Sequence, residues 1–113
     1  RRIVVAGFSQ GGGIALHIAL RYPECLGGVL ALSTYLPLSW KLADEKSPAN
    51  TAIPLFMAHG AQDNVVPETL GLAARETLQR QGYEIDWHSY PMAHAVCPVE
   101  IADINRWLRA RLA

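Results

Sequence analysis

A serine between two glycines is the strongest chemical signal in the sequence, in the pentapeptide GFSQG at residues 7–11. The G-x-S-x-G pattern alone is weak evidence, because glycine and serine are common residues. Here it directly follows an apolar run at residues 3–6 and directly precedes a segment rich in Ala, Leu and Ile. A serine on a sharp turn between a buried strand and a helix exposes its hydroxyl for attack. We therefore predict Ser9 as a nucleophile and the backbone N–H of Gln10 as an oxyanion donor.

A base and an acid that could activate this serine follow later in the chain. A serine hydroxyl is a weak nucleophile unless a neighbouring base takes its proton. Asp63 follows the third apolar run and His94 follows the fourth. Alone, Asp63 could merely cap a turn or the next helix, and His94 could be a surface-loop histidine. Their order after Ser9 favours a Ser-His-Asp triad, in which Asn64 could not replace Asp63 because an amide cannot stabilise an imidazolium.

The elements that would position these residues alternate between strand and helix. Strands are predicted at residues 3–6, 28–32, 53–58 and 83–90, and helices at residues 11–21, at 67–82, from 98 onward and, briefly, near 40–45. This alternation predicts an α/β fold with a mostly parallel sheet of about four strands flanked by helices. The site should lie at the carboxyl ends of those strands. The last strand alternates apolar and polar residues, which predicts an edge strand whose polar face, with His88, meets solvent.

Packing is predicted at two places. At the serine turn, Gly7 and Gly11 should both be needed to keep side chains clear of the strand and the helix, and Gly12 and Gly13 should allow close packing. The last helix should bury a stripe of apolar side chains one turn apart. That stripe comprises Ile101, Ile104, Leu108 and Leu112.

The composition narrows the function classes. Half of the 113 residues are hydrophobic and the formal net charge is zero, so no basic surplus favours nucleic acid. No apolar run approaches the roughly 18 residues of a membrane-spanning helix, and we expect a cytoplasmic protein.

Cys25 and Cys97 are predicted as buried or half-buried thiols rather than a disulfide. His17, His59 and His88 are predicted as structural, with a substrate role as the alternative for His59, and no metal or cofactor is expected.

Four short segments carry a resemblance to a known family. They are AGFSQGG at residues 6–12, STYLP at 33–37, HGAQDNVVP at 59–67 and the Met-x-His context of residue 94. In these segments the chain resembles the carboxylesterase and acyl-protein thioesterase family, the phospholipase/carboxylesterase group of α/β-hydrolases. The resemblance implies Ser9, Asp63 and His94 as the catalytic triad and the Gln10 N–H as one oxyanion donor.

The resemblance also implies where the acyl group would bind. Tyr35 and Leu36, within residues 35–38, and Val66, in the turn at 65–66, would line the acyl pocket. The chain departs from the family pattern beside the histidine, where Ala93 stands in place of a common glycine and Ala95 follows. Alanine there restricts the backbone and leaves the chemistry in place.

By this resemblance, residues 1–113 would be the C-terminal portion of a single α/β-hydrolase domain. Family members have earlier strands, and one earlier loop supplies the second oxyanion N–H. We therefore expect the missing N-terminal half as a partner along residues 3–6, with a homodimer as the alternative cover for that edge.

The function implied is a serine carboxylic-ester hydrolase of esterase or thioesterase type, acting on small or medium acyl esters without a cofactor. This chain alone should be weakly active or inactive. A non-catalytic binding module, a dienelactone hydrolase and a peptidase stay open as alternatives, and the sequence does not choose between esters, thioesters and lysophospholipids.

Overall fold

The computed structural model describes residues 3–112, so residues 1, 2 and 113 of the predicted 1–113 portion lie outside it. Strands and helices alternate in the described part, which confirms the predicted order. The elements are β1 (Val4–Phe8), α1 (Gln10–Arg21), β2 (Gly28–Leu32), α2 (Leu42–Glu45), β3 (Leu55–Gly60), α3 (Glu68–Arg80), β4 (Ile85–Tyr90) and α4 (Pro98–Leu112). Two short 3-10 turns, Ser39–Lys41 and Pro48–Asn50, flank α2.

The four strands form one parallel sheet in the order β1-β2-β3-β4. The predicted parallel sheet and the predicted edge position of β4 are therefore confirmed. Every residue of β3 is buried, as expected of a strand with a neighbour on each side. Within residues 3–112, β1 pairs only with β2, and its Ala6 and Phe8 are exposed although the strand is apolar.

Helices cover both faces of the sheet. On one face α1 and α3 pack against β2 and β3, and Leu16, Leu20 and Leu78 are fully buried there. On the other face α4 packs against Phe56 and Tyr90 through Trp107. Layers of this kind bring the carboxyl ends of all four strands to one rim, where the loops are free to carry a site.

The structure corrects the predicted buried face of α4. Ile104 and Leu108 are partly buried, but Ile101 is 58% exposed and Leu112 is 43% exposed. Trp107 is buried in their place, because Gly28 has no side chain: a Cβ there would lie 2.6 Å from the Trp107 ring.

His88 does not face solvent either. Its ring is half-buried and stacks on the ring of Phe56, with 4.6 Å between centroids, on the sheet face that α4 covers.

The cysteines are unpaired, as predicted, but only one of them is partly buried. Cys97 is half-buried and Cys25 is exposed. No helix within residues 3–112 is both long and apolar enough to cross a membrane.

Candidate active site

Ser9 lies on the one-residue turn between β1 and α1. Its backbone has φ 58° and ψ −123°, a positive φ that is strained for a residue with a side chain. Neighbouring elements hold this conformation: the Ser9 N–H donates to Leu32 O at 2.8 Å, and Thr34 Oγ1 donates to Ser9 O at 2.5 Å. The predicted sharp turn is thus present, and it is fixed from the end of β2.

The glycines around the turn differ in what they allow. A Cβ on Gly7 would lie 2.1 Å from the backbone oxygen of Gly11, so no side chain fits there. A Cβ on Gly12 would lie 2.8 Å from Thr34, and a Cβ on Gly13 would lie 3.1 Å from the Pro37 ring, as the close-packing prediction requires. Gly11 is different, because, apart from its chain neighbours and the backbone of its own helix, nothing in residues 3–112 lies within 4 Å of the Cβ it lacks. The prediction that both flanking glycines are sterically required is therefore wrong for Gly11.

The structure brings Ser9, His94 and Asp63 together at the carboxyl rim of the sheet. His94 Nε2 lies 3.0 Å from Ser9 Oγ, within reach of the hydroxyl proton. On its other side His94 Nδ1–H donates to Asp63 Oδ2 at 2.7 Å. The Phe8 ring packs against the His94 ring, with 4.7 Å between centroids. These contacts join loops that follow β1, β3 and β4, so the three residues meet only because those strands run parallel.

Asp63 is buried, and its two oxygens have separate partners. Oδ1 accepts the N–H groups of Val65 at 2.9 Å and Val66 at 2.8 Å, while Oδ2 accepts from His94. Burial alone raises the pKa of Asp63, but the hydrogen bonds from His94 and from these N–H groups outweigh it and hold the pKa below 3.8. Asp63 therefore caps a turn, as its simpler interpretation stated, and also presents a carboxylate to His94.

The loops that carry the acid and the histidine are fastened to each other. Ala61 N–H donates to Tyr90 O at 2.8 Å, and Gln62 N–H donates to Met92 O at 3.0 Å. The two backbones approach so closely that a Cβ on Gly60 would lie 2.3 Å from Met92 O. This contact sets the spacing between Asp63 and His94.

The residues predicted to contact substrate are placed less uniformly. Gln10 begins α1, where the first N–H groups of a helix lack intrahelical partners and can bind an oxyanion. Tyr35 and Leu36 are half-buried, and Leu36 packs against the core. Val66 is only 8% exposed, whereas Val65 is 65% exposed.

These residues do not line a cavity of about 570 Å³ found elsewhere in the structure. That cavity lies at the opposite end of the sheet, beside the start of β3 and β4, where Pro54, Glu84 and Trp107 line it.

Two residues that shape this site carry no separate signal in the sequence. Thr34 binds the Ser9 carbonyl, and His59, predicted as structural, is buried with its Nε2 3.5 Å from Asp63 Oδ2. The one indication in the sequence is that each follows or ends a predicted strand, since sites of parallel sheets lie at the carboxyl ends of the strands. Residues 3–112 contain no cluster of three or more His, Cys, Asp or Glu side chains that could hold a metal.

Comparison with known proteins gives a consistent picture. A family model described as Phospholipase/Carboxylesterase matches residues 1–112. Acyl-protein thioesterase 1 of Gibberella zeae is 41% identical over 98% of this chain and 48% of its own length. A probable carboxylesterase of Oryza sativa subsp. japonica is 34% identical over 97% of this chain and 42% of its own length.

Solved structures agree with the fold. Arabidopsis thaliana SOBER1 superimposes with a TM-score of 0.92 at 30% sequence identity, over 97% of this chain and 53% of its own. Zea mays acyl-protein thioesterase 2 superimposes with a TM-score of 0.87 at 30% identity, over 96% of this chain and 55% of its own. The chain thus spans about half the length of the relatives that it matches.

Proposed function

Because this chain belongs to the phospholipase/carboxylesterase family of α/β-hydrolases, we propose that it carries the Ser-His-Asp triad of a serine hydrolase acting on acyl esters or thioesters. One observation carries the proposal. The His94 ring links the other two residues, with Nε2 3.0 Å from Ser9 Oγ and Nδ1 2.7 Å from Asp63 Oδ2. A nucleophile, a base and an orienting acid in hydrogen-bond reach are the parts that acyl transfer needs.

The proposed reaction has two halves. Ser9 Oγ attacks the acyl carbonyl carbon while His94 Nε2 takes the hydroxyl proton, and Asp63 stabilises the imidazolium that forms. The Gln10 N–H donates to the oxyanion of the tetrahedral intermediate. His94 then gives its proton to the departing alcohol or thiol, which leaves an acyl-Ser9 ester. A water molecule, deprotonated by His94, attacks that ester; the bond to Ser9 Oγ then breaks as His94 returns the proton to that oxygen, and the acid and free Ser9 are released.

We further propose that the active unit includes a polypeptide that corresponds to the N-terminal half of the relatives. The outer edge of β1 supports this, because an apolar strand with backbone groups unpaired on one side is unfavourable in water. Ile14 and Ile18, one turn apart on α1, add exposed apolar surface. That half would supply the second oxyanion donor and the rest of the acyl pocket. A homodimer is the alternative cover for this edge.

A cytoplasmic location is also proposed, on the ground that both cysteines are unpaired. Fractionation of cells that express the protein would test it, and recovery in a secreted fraction would overturn it.

A fluorophosphonate probe tests the proposed function most directly, since it reacts with an activated serine. We expect the full-length polypeptide to be labelled and to hydrolyse p-nitrophenyl acetate, and Ser9→Ala to lose both properties. Ser39→Ala, a serine outside the proposed triad, is the matched control. This chain alone should react more slowly, because loss of one oxyanion donor costs about 10²–10³ in rate. If the full-length protein does not react with the probe, the proposed enzymatic function would be wrong and a non-catalytic binding module would be favoured.

A further inference from the structure

His59 is a buried histidine in direct contact with the acid loop. It is the fifth residue of β3, and its side chain is 1% exposed. Its Nε2–H donates to Val66 O at 2.7 Å, since a carbonyl oxygen can only accept. The same Nε2 lies 3.5 Å from Asp63 Oδ2, the oxygen that His94 uses.

Packing fixes the His59 ring in this position. Its face stacks on the Trp87 ring, with 6.5 Å between centroids and 23° between planes. Arg75 covers the Trp87 ring at 5.1 Å. On the helix side Gly71 leaves room for the ring, because a Cβ there would lie 2.5 Å from His59 Nδ1 and the ring would have to shift. A ring held on both sides in this way has little freedom to turn away from Val66.

The hydrogen bonds make Val66 the link between His59 and Asp63. The Val66 N–H donates to Asp63 Oδ1, and its C=O accepts from His59. The two groups belong to successive peptide units that share the Val66 Cα. Without the bond from His59, the Val66–Pro67 unit would be free to rotate, the backbone at Val66 would be less constrained, and the Val66 N–H would be held less firmly toward Asp63. A second effect adds to this, since the partial positive charge at Nε2–H faces the Oδ2 that must hold its negative charge.

We propose that His59 is a positioning residue of the active site, acting through Val66 to hold Asp63 at hydrogen-bond distance from His94. The inference rests on the proposed function. This role requires a hydrogen-bond donor at the position of His59 Nε2, so a side chain that only fills the same space would not replace it. An apolar side chain of similar size would pack as well but leave Val66 O buried without a donor.

Two variants of similar length separate these requirements in the full-length polypeptide. His59→Gln keeps an N–H near the Nε2 position, whereas His59→Met fills similar space without a donor. Active-site titration with the fluorophosphonate probe counts competent sites, so kcat can be expressed per site even where part of a variant is misfolded. Leu20→Ala, a cavity variant in the core contact of α1, controls for general destabilisation.

We expect His59→Met to lower kcat per site by about 10–100-fold with KM little changed, because small misplacements of catalytic groups have effects of that size. His59→Gln should recover most of that loss, and Leu20→Ala should keep the wild-type kcat per site. If His59→Met does not fold, His59→Asn, whose amide is too short to reach Val66 O, should show the same loss.

Two results would overturn the inference alone: wild-type kcat in the donor-free variants, or an equal loss in His59→Gln. A wild type that does not react with the probe would overturn the proposed function, and this inference with it.

Discussion

Asp63→Asn tests the role of Asp63 in the proposed triad, because the hydrogen bonds of this residue determine how the substituted side chain must lie. Two backbone donors, from Val65 and Val66, meet Oδ1 at 2.9 and 2.8 Å. Only an oxygen can satisfy them, so the new amide must place its oxygen at the Oδ1 position and its NH₂ at the Oδ2 position. That NH₂ then faces His94 Nδ1 across the 2.7 Å contact. Two donors cannot share a hydrogen bond, and His94 must move its proton to Nε2.

A histidine with the proton on Nε2 cannot take the proton of Ser9, although the geometry is almost unchanged. The expected loss is about 10⁴-fold in kcat, or about 5.5 kcal/mol of transition-state stabilisation. Stability should change far less, because both backbone donors keep their acceptor. An amide that turned the other way would have to leave two backbone N–H groups without their acceptor, and the buried one, from Val66, alone would cost about 1–3 kcal/mol.

The assay is p-nitrophenyl acetate hydrolysis by the full-length polypeptide at neutral pH, with thermal unfolding measured on the same samples. Asp44→Asn, the same change at an exposed site on α2, serves as the control and should keep full activity. A folded Asp63→Asn variant that kept activity within tenfold of wild type would refute the role assigned to this carboxylate.

Three further substitutions test the packing and the electrostatics. Gly7→Ala should lower stability by about 3 kcal/mol or more because its Cβ meets backbone, whereas Gly11→Ala should stay within about 1 kcal/mol; denaturant unfolding separates them. Gly71→Ala should press on the His59 ring, lowering stability by about 1–3 kcal/mol and kcat per titrated site as well. Burial raises the pKa of Glu100 above its ordinary value of 4.5, although the hydrogen bond from the Cys97 N–H opposes this shift. The folded state therefore binds this proton more tightly than the unfolded state does, and the stability of the fold decreases as the pH rises above about 4.5. Glu100→Gln should remove this decrease and raise Tm at neutral pH, seen in thermal unfolding at several pH values; an unchanged pH dependence would contradict the assignment.

The order of the elements could be predicted because local signals mark their ends. Pro67 stands just before α3, and Gly82 just beyond it adopts a φ of 94°, which suits a glycine after a helix. Strand starts were less accurate: β3 begins at Leu55, two residues late, because Pro54 has no N–H to donate to the ladder. Such errors move a boundary without moving the rim where the loops meet.

The buried face of α4 could not be predicted, because it depends on the partner surface. Periodicity located an apolar stripe, but the space left by Gly28 selected Trp107. The requirement for glycine at residue 11 was likewise inferred from a motif, whereas of the two glycines that flank Ser9 in the motif the steric demand falls on Gly7. Long-range contacts of this kind leave no trace in local sequence.

In the candidate site, the residues proposed for catalysis and the residues proposed to bind the acyl group are held by different parts of the chain. The atoms that would move a proton are held by β1, β3 and β4 and by the bonds between the acid and histidine loops, all within residues 3–112. The side chains expected to hold the acyl group are packed unevenly: Tyr35 and Leu36 are half-buried and Val66 is buried, whereas Val65 is exposed. If the proposed N-terminal half completes the acyl pocket along β1, its absence would leave the distances among Ser9, His94 and Asp63 unchanged, because the contacts that set them lie within residues 3–112. Removal of that half from the full-length polypeptide should therefore impair substrate binding and oxyanion stabilisation more than the Ser9–His94–Asp63 geometry itself.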